Sequence, residues 1–178
     1  MKKTLAVVLV LAFSSCMLFS ASFEEEKTKS SDGKDFLFPQ DALQEGAAIF
    51  ALSLGTDREN GEEQQSSLLG WQTYFNDNPN VVGSIPVYHF PVLAGVPFFV
   101  KGAIRKALYE SYVGLVDPGR VAILFISKAE SFAKRANLPL DRESTLAVVA
   151  SDGTVSGYVK GPLSPEKIEA LKALLARL

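Results

Sequence analysis

Thr145-Leu146-Ala147-Val148-Val149-Ala150-Ser151-Asp152-Gly153-Thr154-Val155-Ser156-Gly157-Tyr158-Val159 sets two short β-branched, apolar runs on either side of an Asp-Gly pair. Asp-Gly between such runs predicts a hairpin, because glycine tolerates the positive φ of a tight primed turn. Lys160-Gly161-Pro162-Leu163 breaks the pattern, and Ser164-Pro165-Glu166 opens a helix. There Ser164 can cap free N–H groups, Pro165 lacks an N–H where none is needed, and Glu166 suits the positive end of the helix dipole. Ile168, Leu171, Leu174, Leu175 and Leu178 then recur at helical spacing, so the expected ending is a hairpin followed by a helix that docks on it.

Upstream, Ala47 to Leu54 is a mostly apolar run with the character of a buried central strand. The polar Gly55-Thr56-Asp57-Arg58-Glu59-Asn60-Gly61 follows as a loop, and Glu62 to Asn76 reads as a helix stopped by Asn76-Asp77-Asn78-Pro79. Val81 to Tyr88 reads as a second strand, with Pro86 pushing it toward an edge or bulge. Phe90 to Val100 is apolar but carries Pro91, Gly95 and Pro97, which argue against regular structure. A helix is expected from about Phe98 to Tyr112, then a buried strand over Val121–Ile126, then a helix capped by Ser127 and ended at Asn137-Leu138-Pro139. The order is β-α-β-α-β-α-β-β-α.

That order, with the string Leu146 to Val155 and the following Gly161-Pro162-Leu163-Ser164-Pro165-Glu166, resembles the thioredoxin-like superfamily, in particular its redoxin-type branch. It is similar to the YtfJ-type periplasmic proteins and to the thioredoxin-like assembly factors of mitochondrial ATP synthase. The resemblance covers about residues 47–178 in element order, and its sequence specificity lies in the last third. It implies an α/β three-layer sandwich: a central mixed sheet, an inserted strand-helix pair, and a C-terminal hairpin plus helix.

At the other end, Met1-Lys2-Lys3 and the apolar Thr4 to Phe13 form the n- and h-regions of a secretory signal peptide. Two processing readings compete. Ser20-Ala21-Ser22 offers small residues for cleavage before Phe23, whereas Phe13-Ser14-Ser15-Cys16 is a loose lipobox that would leave Cys16 lipidated. Cleavage is preferred, because Phe13 and the apolar Met17-Leu18-Phe19 fit a lipobox poorly. Residues 1–22 are thus read as signal peptide, 23–35 as a polar leader or tether, and 36–178 as one domain. The expected localisation is exported, either periplasmic or anchored at the envelope.

Cys16 is the only cysteine. The domain therefore has no dithiol, disulfide or thiolate metal site. In the resembling enzymes, a cysteine at the turn after the first central strand gains nucleophilicity from the helix N-terminus. Here that turn holds Thr56, Asp57 and Arg58, and no proline immediately precedes Thr145. Dithiol exchange and cysteine-based peroxide reduction are excluded. No spacing suggests a zinc or calcium loop, and no cofactor is implied. A net charge of −2 argues against a nucleic-acid partner.

Two clusters remain as binding candidates. Thr56, Asp57 and Arg58 occupy a strand-to-helix junction, where binding residues often collect; the plainer reading is a solvated loop whose acid favours the helix start. Phe98 and Phe99, beside Lys101 and Arg105, form an amphipathic, basic-rimmed element for a partner protein or an anionic membrane, or else fill the core. His89, the single histidine, lies in an apolar run and reads as structural. The expected function is an exported non-redox thioredoxin-like protein that binds a protein or membrane-associated complex as an assembly or accessory factor. The alternatives are an enzyme working from the Asp57-Arg58-Glu59 turn on a small substrate, and a structural periplasmic module.

Overall fold

A computed structural model describes residues 21–178. Cys16 and the rest of residues 1–20, most of the segment read from sequence as a signal peptide, lie outside the described residues. The middle of the structure is β3 (Ala48–Ser53), all six residues of which are buried. Covering on both faces explains why that run shows no polar alternation. On one side, β4 (Val87–Ala94) and then β5 (Leu124–Ile126) run parallel to it. On the other side lie β6 (Thr145–Val149), antiparallel to β3, and then β7 (Val155–Lys160), antiparallel to β6, giving the order β5-β4-β3-β6-β7.

The hairpin forms at the expected place, but its turn is not a tight primed one: the Gly153 N–H donates to the Ala150 carbonyl at 2.9 Å, and Gly153 alone takes a positive φ there. Gly153 takes φ +86°, and the Asp152 carboxylate accepts from the Thr154 N–H at 2.9 Å. In α4 (Pro165–Leu175) the Ser164 hydroxyl accepts from the Lys167 N–H, and Leu171 is wholly buried against the sheet.

One face of the sheet is covered by α4 and by α1 (Arg58–Asp77), whose Leu68, Trp71 and Phe75 pack on Ile49, Ala51, Leu146 and Val148. The opposite face carries a phenylalanine cluster. Phe50 and Phe90 from the sheet meet Phe132 of α3 (Ala129–Arg135), together with Phe23, Phe36 and Phe38 from the N-terminal segment. Phe38 contacts Phe90 edge-on at 4.8 Å between ring centres, a favoured aromatic geometry. Helices, sheet, and a helix-plus-hairpin layer make the three-layer sandwich. The inserted strand-helix pair is β5 with α3, which extends the sheet beside β4.

Three local expectations are corrected. Residues 23–35 are not a solvated tether. Phe23 is buried, and β1 (Glu26–Lys29) pairs antiparallel with β2 (Asp35–Phe38). The polar strand is held by backbone pairing to a partner that does carry core residues, so its own composition gives no hydrophobic signal. Second, the strand expected at 81–88 lies further on: a 3-10 turn takes Pro79–Val81, and β4 runs straight through Pro91. Proline is tolerated because the β5 ladder has a gap there, between the isolated His89–Val121 bridge and the Val92–Leu124 pair. The Ile123 carbonyl in that gap accepts instead from the Thr28 hydroxyl at 2.7 Å. Third, α1 begins at Arg58 rather than Glu62, and the cap position of α3 is Lys128 rather than Ser127, without a side-chain cap.

Candidate functional site

In an open α/β sheet, ligands and partners gather at the carboxyl ends of the parallel strands. Both candidate clusters emerge there. The chain leaves β3 through Leu54-Gly55-Thr56 into α1. It leaves β4 through Gly95-Val96-Pro97 into a 3-10 turn (Phe98–Val100) and then α2 (Lys101–Glu110).

The β3–α1 turn is wired shut. The buried face of α1 runs Asn60, Gln64, Leu68, Trp71, Phe75, so its first two turns present amides where the rest presents hydrocarbon. Gln64 Oε1 accepts from the Leu54 N–H at 2.8 Å, and Gln64 Nε2 donates to Asn60 Oδ1 at 2.8 Å. Asn60 Oδ1 also accepts from the Thr56 N–H at 3.2 Å, and Asn60 Nδ2 donates to the Arg142 carbonyl at 2.8 Å. Gly55 passes so close to the helix that a Cβ there would sit 2.6 Å from Gly61 Cα. These two buried amides are thus committed to holding the turn together.

Two exposed residues of the turn, Asp57 and Arg58, are paired too. Asp57 caps α1 by accepting from the Asn60 N–H at 2.8 Å and lies 3.2 Å from the Arg142 guanidinium. The backbone hydrogen bond from Asn60, with help from Arg142, holds its carboxyl below the usual carboxylate range. Arg58 pairs with Glu62 one turn along the helix. Beside the turn lies a groove of about 550 Å³ lined by Glu63, Ser67, Gly70, Arg142, Glu143 and Leu163. Its floor is also structural, since the Ser67 and Ser144 hydroxyls bond each other at 2.8 Å.

The β4–α2 connection is different. Phe98 is 90% exposed and Phe99 84% exposed. Two adjacent phenylalanines left in water are uncommon, since each forgoes roughly 1.5–3 kcal/mol of burial. Their position is fixed from below. Lys101 Nζ sits 5.0 Å and the Arg105 guanidinium 5.3 Å from the Phe125 ring centre on β5, pinning α2 to the sheet edge. The Tyr109 hydroxyl donates to the Lys29 carbonyl at 2.6 Å, and Tyr112 beyond the helix is buried. Lys101 and Arg105 therefore serve first as cation–π anchors, while Lys106 stands exposed beside them.

Comparison with solved structures fits this geometry. A SCO1/SenC family lipoprotein from Bacillus anthracis matches with a TM-score of 0.56 and 13% identity, over 89% of this chain and 95% of that one. BsSco, described as a member of the Sco family of cytochrome c oxidase assembly proteins, matches with a TM-score of 0.53 and 12% identity, over 88% and 95%. Peroxidoxin BcpB from Mycobacterium tuberculosis matches with a TM-score of 0.50 and 11% identity, over 89% and 96%. The fold is thioredoxin-like. Identities this low carry the fold and none of the chemistry. No family model matches the chain, and no curated protein matches its sequence.

Sequence reading singled out Thr56, Asp57 and Arg58 at a strand-to-helix junction and Phe98, Phe99, Lys101 and Arg105 on a separate amphipathic element; the structure brings both groups to one end of the sheet. Sequence reading missed Asn60, Gln64 and Arg142. The first two were legible as a continuation of the Leu68-Trp71-Phe75 stripe at spacings of four, but they carry amides rather than hydrocarbon; Arg142 left no local signal. Among the described residues no group of three His, Cys, Asp or Glu could hold a metal ion, and no helix is long and apolar enough to cross a membrane.

Proposed function

We propose that this chain is an exported, non-redox thioredoxin-like protein that acts by binding a protein partner, as an accessory or assembly factor at the cell envelope. One observation carries the reading: Phe98 and Phe99 stand side by side in solvent on a short turn whose base is fixed, at the carboxyl ends of the parallel strands. An apolar protrusion at the start of a helix that carries the exposed cation Lys106 further along suits a partner with an apolar pocket and an acidic rim. The structural duties of Asp57, Arg58, Asn60 and Gln64 at the β3–α1 turn favour binding over catalysis there, because their polar groups are committed to the cap, the Glu62 pair and the turn's backbone. The assembly role named for the Sco-family neighbour is a precedent for this fold acting on other proteins.

A photo-crosslinking side chain at Phe99, introduced into the full chain in its native envelope, tests the reading. The expected result is a discrete adduct with one protein, not formed from a probe at Tyr158 on the far edge strand. Equal, diffuse labelling from both positions overturns it.

A further inference from the structure

The sequence motif for signal-peptide cleavage falls between Ser22 and Phe23, yet the folded structure already includes Ala21 and Ser22. The Ala21 carbonyl accepts from the Val155 N–H at 2.9 Å, and the Ser22 N–H donates to the Arg135 carbonyl at 3.3 Å. Ser22 also forms a β-bridge with Thr154. The Ala21 bond and the bridge cover the start of β7, and the Ser22 bond ties the segment to the end of α3. Immediately after them, Phe23 enters the core, 5.3 Å from the Phe38 ring and 5.5 Å from both Phe50 and Phe132. Glu24 then pairs with Arg135 at 2.7 Å. A chain starting at Phe23 would lose both backbone bonds, bare the Val155 N–H, and place a charged α-ammonium on the residue that enters the aromatic cluster.

We infer that the mature chain keeps Ala21 and Ser22, so that processing occurs before Ala21 rather than at the Ser22–Phe23 bond. This rests on the reading that the chain is exported. It has a consequence for orientation. Ala21 joins the fold beside Val155, whose partner Val149 lies opposite Ala48 at the start of β3. Phe98 and Phe99 follow the end of β4, which is parallel to β3. The N-terminal junction and the aromatic pair are thus at opposite poles, separated by at least the length of β3, about 20 Å for six extended residues. Anything that holds the N-terminus leaves Phe98 and Phe99 facing away from it.

The test is the intact mass of the protein recovered from the envelope of a secreting bacterium expressing the full chain, read with amide exchange at Val155 on the same material. The expected mass corresponds to a start at or before Ala21 with the Leu5–Phe13 run removed, whether or not an acyl group is present. The Val155 amide is then expected to exchange as slowly as its strand neighbours. A start later than Ala21, or rapid exchange at Val155, overturns the inference and leaves export standing. A mass that retains the Leu5–Phe13 run overturns the export reading and this inference together.

Discussion

Asn60 Nδ2 donates to the Arg142 carbonyl at 2.8 Å, tying the first turn of α1 to the loop that leads into β6 across 82 residues of sequence. In the same side chain Oδ1 accepts from Thr56 and Gln64. An amide thus joins the elements that converge where thioredoxin-like enzymes place a reactive thiol, and it holds them closed.

Asn60→Ala should therefore destabilise the fold rather than disturb any activity. It strands the Arg142 carbonyl and the Thr56 N–H near the surface of a packed junction, worth about 2–3 kcal/mol together. At this chain length that lowers the melting temperature by roughly 4–12 °C. Calorimetry showing no change would mean that the amide network is not what holds the turn.

Gly55→Ala tests the same junction sterically. The added methyl would meet the Gly61 backbone at 2.6 Å, and backbone cannot swing aside as a side chain can. Overpacking of this kind costs about 1–3 kcal/mol, measurable as a lower urea midpoint with an unchanged slope. A neutral substitution would show that α1 can slide away from the turn.

The elements that announced themselves in the sequence are those whose residues are buried by their own periodicity. The hairpin, α4 with its Ser164 cap, and the all-buried β3 needed no tertiary information. β1 did not announce itself, because Glu26, Lys27, Thr28 and Lys29 owe their conformation to β2 and their place to Thr28 and Lys29, which meet Ile123 and Tyr109. β4 was hidden by Pro91, which is harmless only because the neighbouring ladder skips that position. At the site, the exposed aromatic pair was legible as a question that only burial could answer. Asn60 and Gln64 could be placed on the α1 stripe by their spacing, but their bonds to Leu54, Thr56 and Arg142 could not be read, since amide side chains look alike in loops and in cores.

His89 should make the protein acid-sensitive. It is fully buried beside Tyr112, its Nε2 lies 2.9 Å from Gln72 Oε1, and desolvation pushes its pKa down to about 3. The unfolded chain binds this proton from near pH 6.5 downward and the folded chain does not. The contribution is complete above pH 6.5 and is lost as the pH falls toward 3, amounting to about 2 kcal/mol by pH 5. Melting curves at pH 7 and pH 5 should converge in His89→Leu by comparison with the unchanged protein. An equal acid shift in both would assign the sensitivity elsewhere.

Residues 21–178 contain no thiol. Insulin reduction and peroxide consumption by homogeneous protein spanning the described fold should equal the buffer rate. Reproducible turnover that survives metal chelation would contradict a non-redox role.

The central claim concerns Phe98 and Phe99, and its most direct measurement is capture of the crosslink-identified partner by the double variant Phe98→Ser/Phe99→Ser. Both rings are in solvent, so the change should move the melting temperature by no more than roughly 2 °C. Capture should nevertheless fall at least tenfold, a loss of about 1.4 kcal/mol or more in binding. Undiminished capture by a variant with an unchanged melting curve would contradict the account.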